Sequence, residues 1–357
     1  MSINGMIVAS SDFQKNRWIT MLKIKHYLFL AFTLLFLNCA SSTWSKIDLT
    51  IREGDTPTAI QMVETYLQTH PQDARALFTL GELYASIGEW KLMREAFLRC
   101  QQVDIRYQQD VERAMESYWR RNLQTGIQQM EQHKYTEASN YFTNAIFIYP
   151  DRALSHRLKG EAAWAMKDTT NSIEEFQQVL NINAQDTISM RYLMRIYFLR
   201  GQYEETVGMA TKLLSLVPED IEALRSLAYS YDRSDQLDFA LQAYQRLLTH
   251  SREEQDVLAL AALLYRKGDY QQAIEFIQRA MRMGADSLSS LRALAQCQLM
   301  MEDYQQLKQT ANEILKLDSQ AIYALQLLQI AYAATGDKKQ VNKIAQQIRD
   351  IQMEMKN

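Results

Sequence analysis

Three arginines, Arg157, Arg191 and Arg225, recur at a spacing of 34 residues, and Arg292 rejoins the series two periods later, after Leu258 interrupts it. A guanidinium grips a carboxylate through two parallel N–H···O bonds and also stacks on aromatic rings. A row at constant spacing therefore suits an extended peptide that carries carboxylates. The other reading is that these arginines pair with carboxylates of the chain itself, Glu161, Glu222 or Asp232, and solvate the surface. Little else in the chain has the residue types of catalysis. No phosphate loop, dinucleotide glycine motif or nucleophile elbow occurs. The histidines His26, His70, His133, His156 and His250 are scattered, and none has another His or Cys four residues away. Cys100 and Cys297 stand among apolar neighbours as core residues, and no disulfide framework is indicated. The expectation is a protein that is not an enzyme and has no cofactor, no metal and no small-molecule substrate.

The period of 34 belongs to the elements that position these side chains. The turns Gly88-Glu89-Trp90, Gly201-Gln202-Tyr203, Gly268-Asp269-Tyr270 and Gly336-Asp337-Lys338 each fall between two amphipathic helical stretches. Copies can be laid down at 40–73, 74–107, 119–152, 153–186, 187–220, 221–253, 254–287, 288–321 and 322–355. Gly81, Gly126 and Gly160 occupy the eighth position, where paired helices must approach closely. Gly54, Gly88, Gly201, Gly268 and Gly336 occupy the fifteenth, where the first helix ends and a positive φ is cheap only for Gly. Pro71, Pro150 and Pro218 lie just past the second helix, where no helical N–H is needed. The second copy has Leu80-Gly81-x-x-Tyr84 and Phe97, and the third has Gly126, Ala138, Phe142, Ala145 and Pro150. Met93, Ser172, Thr206 and Leu307 replace the small residue expected early in the second helix.

This pattern resembles the tetratricopeptide repeat, a helix-turn-helix unit of about 34 residues. The resemblance implies an all-α fold, a right-handed superhelical solenoid of about nine units spanning 40–357, with a protein or peptide partner. It also implies that the first helices line a concave groove. Mapped on that groove, Arg195, Tyr192, Phe198, Tyr229 and Tyr265 join Arg157, Arg191, Arg225 and Arg292 as candidate partner-binding residues. Trp90, Tyr135, Tyr203, Tyr270 and Tyr304, just after the turns, read as inter-helix packing. The lysine and asparagine clamp by which well-known members hold a C-terminal carboxylate is not matched.

Residues 108–118 are additional to the period. No Pro or Gly interrupts Ile105 to Thr125, so an elongated helix is expected around 105–132. Eleven residues make close to three turns, which keeps Val111, Ala114 and Tyr118 on the packing face, and the helix should protrude by about 16 Å. It reads either as a spacer or as a ridge for docking a partner.

The N-terminus reads as an address. Residues 21–39 place lysines and a histidine before an apolar run from Tyr27 to Leu37, the layout of a secretory signal peptide. That run is shorter than the roughly 20 residues needed to span a bilayer. The polar residues 1–20 do not fit the layout and read as a mis-assigned extension before Met21. Phe36-Leu37-Asn38-Cys39 resembles a bacterial lipobox, which implies diacylation of Cys39 and a membrane attachment through that lipid. Cleavage after Ala40-Ser41-Ser42 and an uncleaved signal anchor are the alternatives. Lys15, Arg17, Lys23 and Lys25 against Asp12 leave the rest of the chain acidic, since the whole carries a net −3, and this argues against nucleic acid as a partner. Only 11 Gly and 4 Pro exclude a fold of many tight β-turns. The combined expectation is a non-catalytic scaffold anchored in the bacterial cell envelope, facing the periplasm from the outer membrane. A soluble periplasmic chaperone or adaptor, or an accessory protein of glycan synthesis, are the other readings.

Overall fold

The structure, a computed structural model, describes residues 43–354, and the described residues are helical with no strand. The helices follow one another in pairs: α1 (43–52) and α2 (Thr56–Thr69), α3 (Ala74–Ser86) and α4 (Trp90–Val103), α5 (Gln108–Glu131) and α6 (Tyr135–Ile148). Next come α7 (Ala153–Ala165) and α8 (Thr169–Ile182), α9 (Thr187–Leu199) and α10 (Tyr203–Leu216), α11 (Ile221–Arg233) and α12 (Leu237–His250). The last are α13 (Glu254–Lys267) and α14 (Tyr270–Arg282), α15 (Ser287–Met300) and α16 (Tyr304–Leu317), α17 (Ile322–Ala334) and α18 (Lys338–Glu354). This is the α-solenoid class that the periodicity predicts. No helix of the described residues is long and apolar enough to cross a membrane. The described residues divide into two compact units, one ending at Ala162 and one beginning at Ala163.

Local chemistry starts the helices. Asp73, Asp186, Asp220 and Asp286 each accept a hydrogen bond from the backbone N–H three residues on, capping α3, α9, α11 and α15. Asp55, Asp168, Asp269 and Asp303 do the same for α2, α8, α14 and α16. Packing then selects the faces. The early position of the second helix is fully buried as Ala59, Met93, Ala138, Ser172, Thr206, Ala240, Ala273 and Leu307. The four departures from a small residue are thus absorbed inside the interface, with no loss of burial. One turn later Phe97, Phe142 and Phe176 are equally buried. At Gly81 and Gly126 an added Cβ would overlap the rings of Phe97 and Phe142, so the close approach of the paired helices is physical there.

The additional segment, expected to be a protruding helix serving as a spacer or as a docking ridge, packs over part of its length. Asp104 caps a short 3-10 turn (Ile105–Tyr107) by accepting from the Arg106 N–H at 3.0 Å, so the helix begins at Gln108. Val111 is fully buried and Met115 nearly so, in the same apolar cluster as Leu77, Phe97 and Cys100. The Tyr118 hydroxyl donates to Glu82 at 2.9 Å. Because three extra turns keep the apolar stripe in phase, the extension lies down against the preceding pair.

Candidate functional site

The arginine series is built on the first helices. In the second unit, Arg191 on α9 makes an ion pair with Asp220, the N-cap of α11, and its Nη1 lies 3.8 Å from Glu222. One turn along, Arg195 pairs with Glu222 through Nε and through Nη2 at 2.8 Å. Arg225 on α11 reaches across to α13 and grips Asp256 with Nε and Nη2, both at 2.8 Å. Arg266 on α13 returns to α11, where its Nη1 meets Asp232 at 2.6 Å. Neighbouring first helices are therefore joined edge to edge by guanidinium–carboxylate pairs. Arg157 lies in the first unit and pairs with Glu161 on its own helix at 3.2 Å. Arg292 is exposed, with no ion pair among the described residues.

Burial separates these pairs. Asp256 is 1% exposed and Asp220 6%. The Ser251 hydroxyl also donates to Asp256. Burial pushes the Asp256 carboxyl up, but the hydrogen bonds from Arg225 and Ser251 outweigh it and hold the group below its ordinary value. Arg225 is correspondingly held above its own, chiefly by the bond to Asp256. Arg191 and Arg225 neutralise buried carboxylates at the start of the next first helix, Asp220 at the N-cap of α11 and Asp256 in α13. Arg195 is the open member, with its side chain 51% exposed over a Glu222 that is 32% exposed.

The aromatic candidates point into the interfaces. Tyr192 stacks on Phe176 with ring centres 4.6 Å apart. Tyr229 meets Tyr244 edge-on at 5.6 Å, and burial pushes its hydroxyl pKa up. Tyr265 packs on Tyr270 at 5.4 Å and Phe198 on Tyr203 at 6.0 Å. Cys100 and Cys297 are buried thiols pushed up to about 11 by burial, so neither carries thiolate at neutral pH. No cluster of metal-ligating side chains occurs among the described residues. Cys39, residues 1–20 and residues 21–39 lie outside the described residues.

The sequence did not reveal Asp220 and Asp256 as partners, since nothing in an isolated aspartate tells that a neighbouring helix will bury it. It also passed over Arg152. This residue, in the α6–α7 turn, pairs with Glu116 of α5 at 2.7 Å. Its only sequence signal is the aromatic pair Trp119 and Tyr149.

A family model described as "Tetratricopeptide repeat" matches residues 123–187, and one described as "Anaphase-promoting complex, cyclosome, subunit 3" matches residues 234–314. A tetratricopeptide repeat-containing protein of Methanocaldococcus jannaschii is 24% identical over 172 residues, covering 45% of this chain and 30% of that protein. The human tetratricopeptide repeat protein 13 is 32% identical over 95 residues, 27% of this chain and 11% of that protein. The chain thus spans well under half the length of both relatives. Among solved structures, MamA 41-end from Desulfovibrio magneticus RS-1 aligns with 17% identity and a TM-score of 0.43, covering 46% of this chain and 94% of that one. The chain is thus similar to tetratricopeptide-repeat proteins, with the match to that family model confined to residues 123–187.

Proposed function

We propose that this protein is a non-catalytic scaffold that holds an extended acidic segment of a protein partner on the face of its first helices. In this reading it is exported and tethered by a lipid on Cys39 to the bacterial envelope, at the outer membrane facing the periplasm. The row α9, α11 and α13 carries the binding half: these helices are stapled edge to edge by Arg191, Arg195, Arg225 and Arg266. Helix-pair repeats bury their apolar faces against one another and leave such a face to bind a ligand. A partner carboxylate must exchange with one already present, and only an accessible pair permits that. Ligand contact is therefore assigned to Arg195 and the exposed Arg292, while Arg191 and Arg225 position the surface. The basic, apolar and cysteine sequence of 21–39 supports the anchoring half.

Two measurements test the two halves separately. Replacing Cys39 by Ala should release the protein from membranes; a variant that still sediments with them after a carbonate wash would overturn the lipid anchor. A partner obtained by crosslinking in native membranes should bind the Arg195→Ala/Arg292→Ala variant about tenfold or more weakly in a calorimetric titration, since charge-assisted bonds contribute about 1.5–3 kcal/mol each. Unchanged affinity in a folded variant would leave the face a solvated surface only.

A further inference from the structure

A cleft of about 880 Å3 opens in the first unit beside the additional turns of α5, lined by Glu112, Arg113, Glu116, Arg120, Tyr149 and Arg152 among others. Arg152 is wedged in its wall. The guanidinium carbon lies 4.2 Å from the centre of the Trp119 ring and 3.7 Å from that of Tyr149, and the two rings stand at 78° to each other. Arg152 Nη1 donates to Glu116 Oε2 at 2.7 Å, while Arg120 Nε donates to Glu116 Oε1 at 2.6 Å. One carboxylate therefore serves two guanidiniums. Of the other charges of the wall, Arg113 is paired with Asp110 at 2.8 Å, while Glu112 accepts only from the neutral Gln108 amide at 2.9 Å and keeps its charge. The Arg120–Glu116–Arg152 triad holds two guanidiniums against one carboxylate, and Glu112, one turn before Glu116, is the nearest negative charge of the wall. No hydrogen bond among the described residues uses Nε or Nη2 of Arg152.

A guanidinium whose faces meet aromatic rings presents its remaining donors in its own plane, and one already immobilised loses little entropy on binding. We infer that this cleft is a second recognition site, where Arg152 and Arg120 take the carboxylate of an acidic residue in an extended segment of a protein partner. The incoming carboxylate displaces part of the Glu116 contact. The inference rests on the reading that the chain holds a protein segment, but its residues differ from the first-helix arginines. Glu116 comes from the additional segment 108–118, so the site is not one that every repeat could form.

The probe is a fluorescent oligoglutamate peptide titrated by anisotropy against the full chain, with oligoglutamine as the neutral control. Wild type should bind the first and not the second. Arg152→Lys, which keeps the charge but loses the planar fork, should weaken binding by about tenfold or more. Glu116→Gln removes the internal competitor at constant shape and should tighten it several-fold, which a purely structural Arg152 would not produce. All these titrations, that of the wild-type cleft included, are made in the Arg195→Ala/Arg292→Ala background, which removes the first-helix contacts assigned above, so that the binding read is that of the cleft. Equal affinity for wild type and Arg152→Lys overturns the site, as does a phosphoserine peptide that binds where oligoglutamate does not. If Arg152→Lys fails to fold, Glu116→Gln decides alone: tightening supports the site, and no change or weakening overturns it. A native partner captured equally by wild type and a folded Arg152→Lys would leave the scaffold reading standing and remove this cleft from it.

Discussion

The turn after the first helix contains a residue with a positive φ in all nine pairs among the described residues, between 57° and 83°, and in four of them it is not glycine. His133, Lys167, Asp235 and Glu302 hold the conformation that Gly54, Gly88, Gly201, Gly268 and Gly336 adopt without strain. Glycine alone marked five turns in the sequence. The other four were legible only through the period, because the turn is imposed by the two helices packing on each other and not by the residue inside it. A left-handed conformation costs a side-chain residue about 1–2 kcal/mol, partly offset by the greater freedom glycine loses on folding. Glu302 makes no side-chain hydrogen bond among the described residues. Glu302→Gly should therefore raise stability by about 0.5–1 kcal/mol, measured by urea unfolding. A destabilised variant would mean that the Glu302 side chain contributes more than its backbone costs.

Between elements, the decisive contacts are those that join one first helix to the next. Glu161 and Glu222 were foreseen as internal partners and are indeed paired with Arg157 and Arg195. Asp232 was foreseen for the same series but answers Arg266, one helix further on. Periodicity places residues on a face, whereas pairing depends on the offset between adjacent helices, which no single repeat contains. The Arg225–Asp256 pair joins α11 to α13, so Arg225→Ala should cost about 2 kcal/mol, less than a fully buried pair because the arginine side chain is 36% exposed. The sign with pH follows from the carboxylate. Its folded pKa lies below its ordinary value of 3.8, so the pair stabilises fully above that value and the contribution fades as pH falls through the folded pKa. The deficit of Arg225→Ala relative to wild type should accordingly be largest at neutral pH and shrink in acid. A deficit independent of pH would assign the loss to packing of the arginine stem alone.

At the scale of the whole molecule, each unit is a chain of neighbour-to-neighbour interfaces, and an interface left uncovered exposes an apolar face. In the second unit, α18 covers the last such face. Ile344 is buried in a cluster with Leu325, Leu328 and Ala331, and Ile348 and Ile351 pack beside it. The opposite side of α18 is polar, with Lys339, Asn342, Lys343, Gln346 and Gln347 exposed. This asymmetry was legible from the residue pattern, because a helix with one apolar stripe and charge elsewhere has only one face to bury. Truncation before Lys338 should strip α17 of its cover. Its amides should then lose protection in hydrogen exchange, while those of α3 and α4, packed in a separate cluster with Val111 and Met115, keep theirs. Ile344→Asp should reproduce the local loss without shortening the chain. Lys339→Ala/Lys343→Ala should be neutral within about 0.5 kcal/mol, as expected of surface positions. Retained protection of α17 after truncation would show that α15 and α16 suffice to hold it, and that α18 contributes solubility without contributing stability.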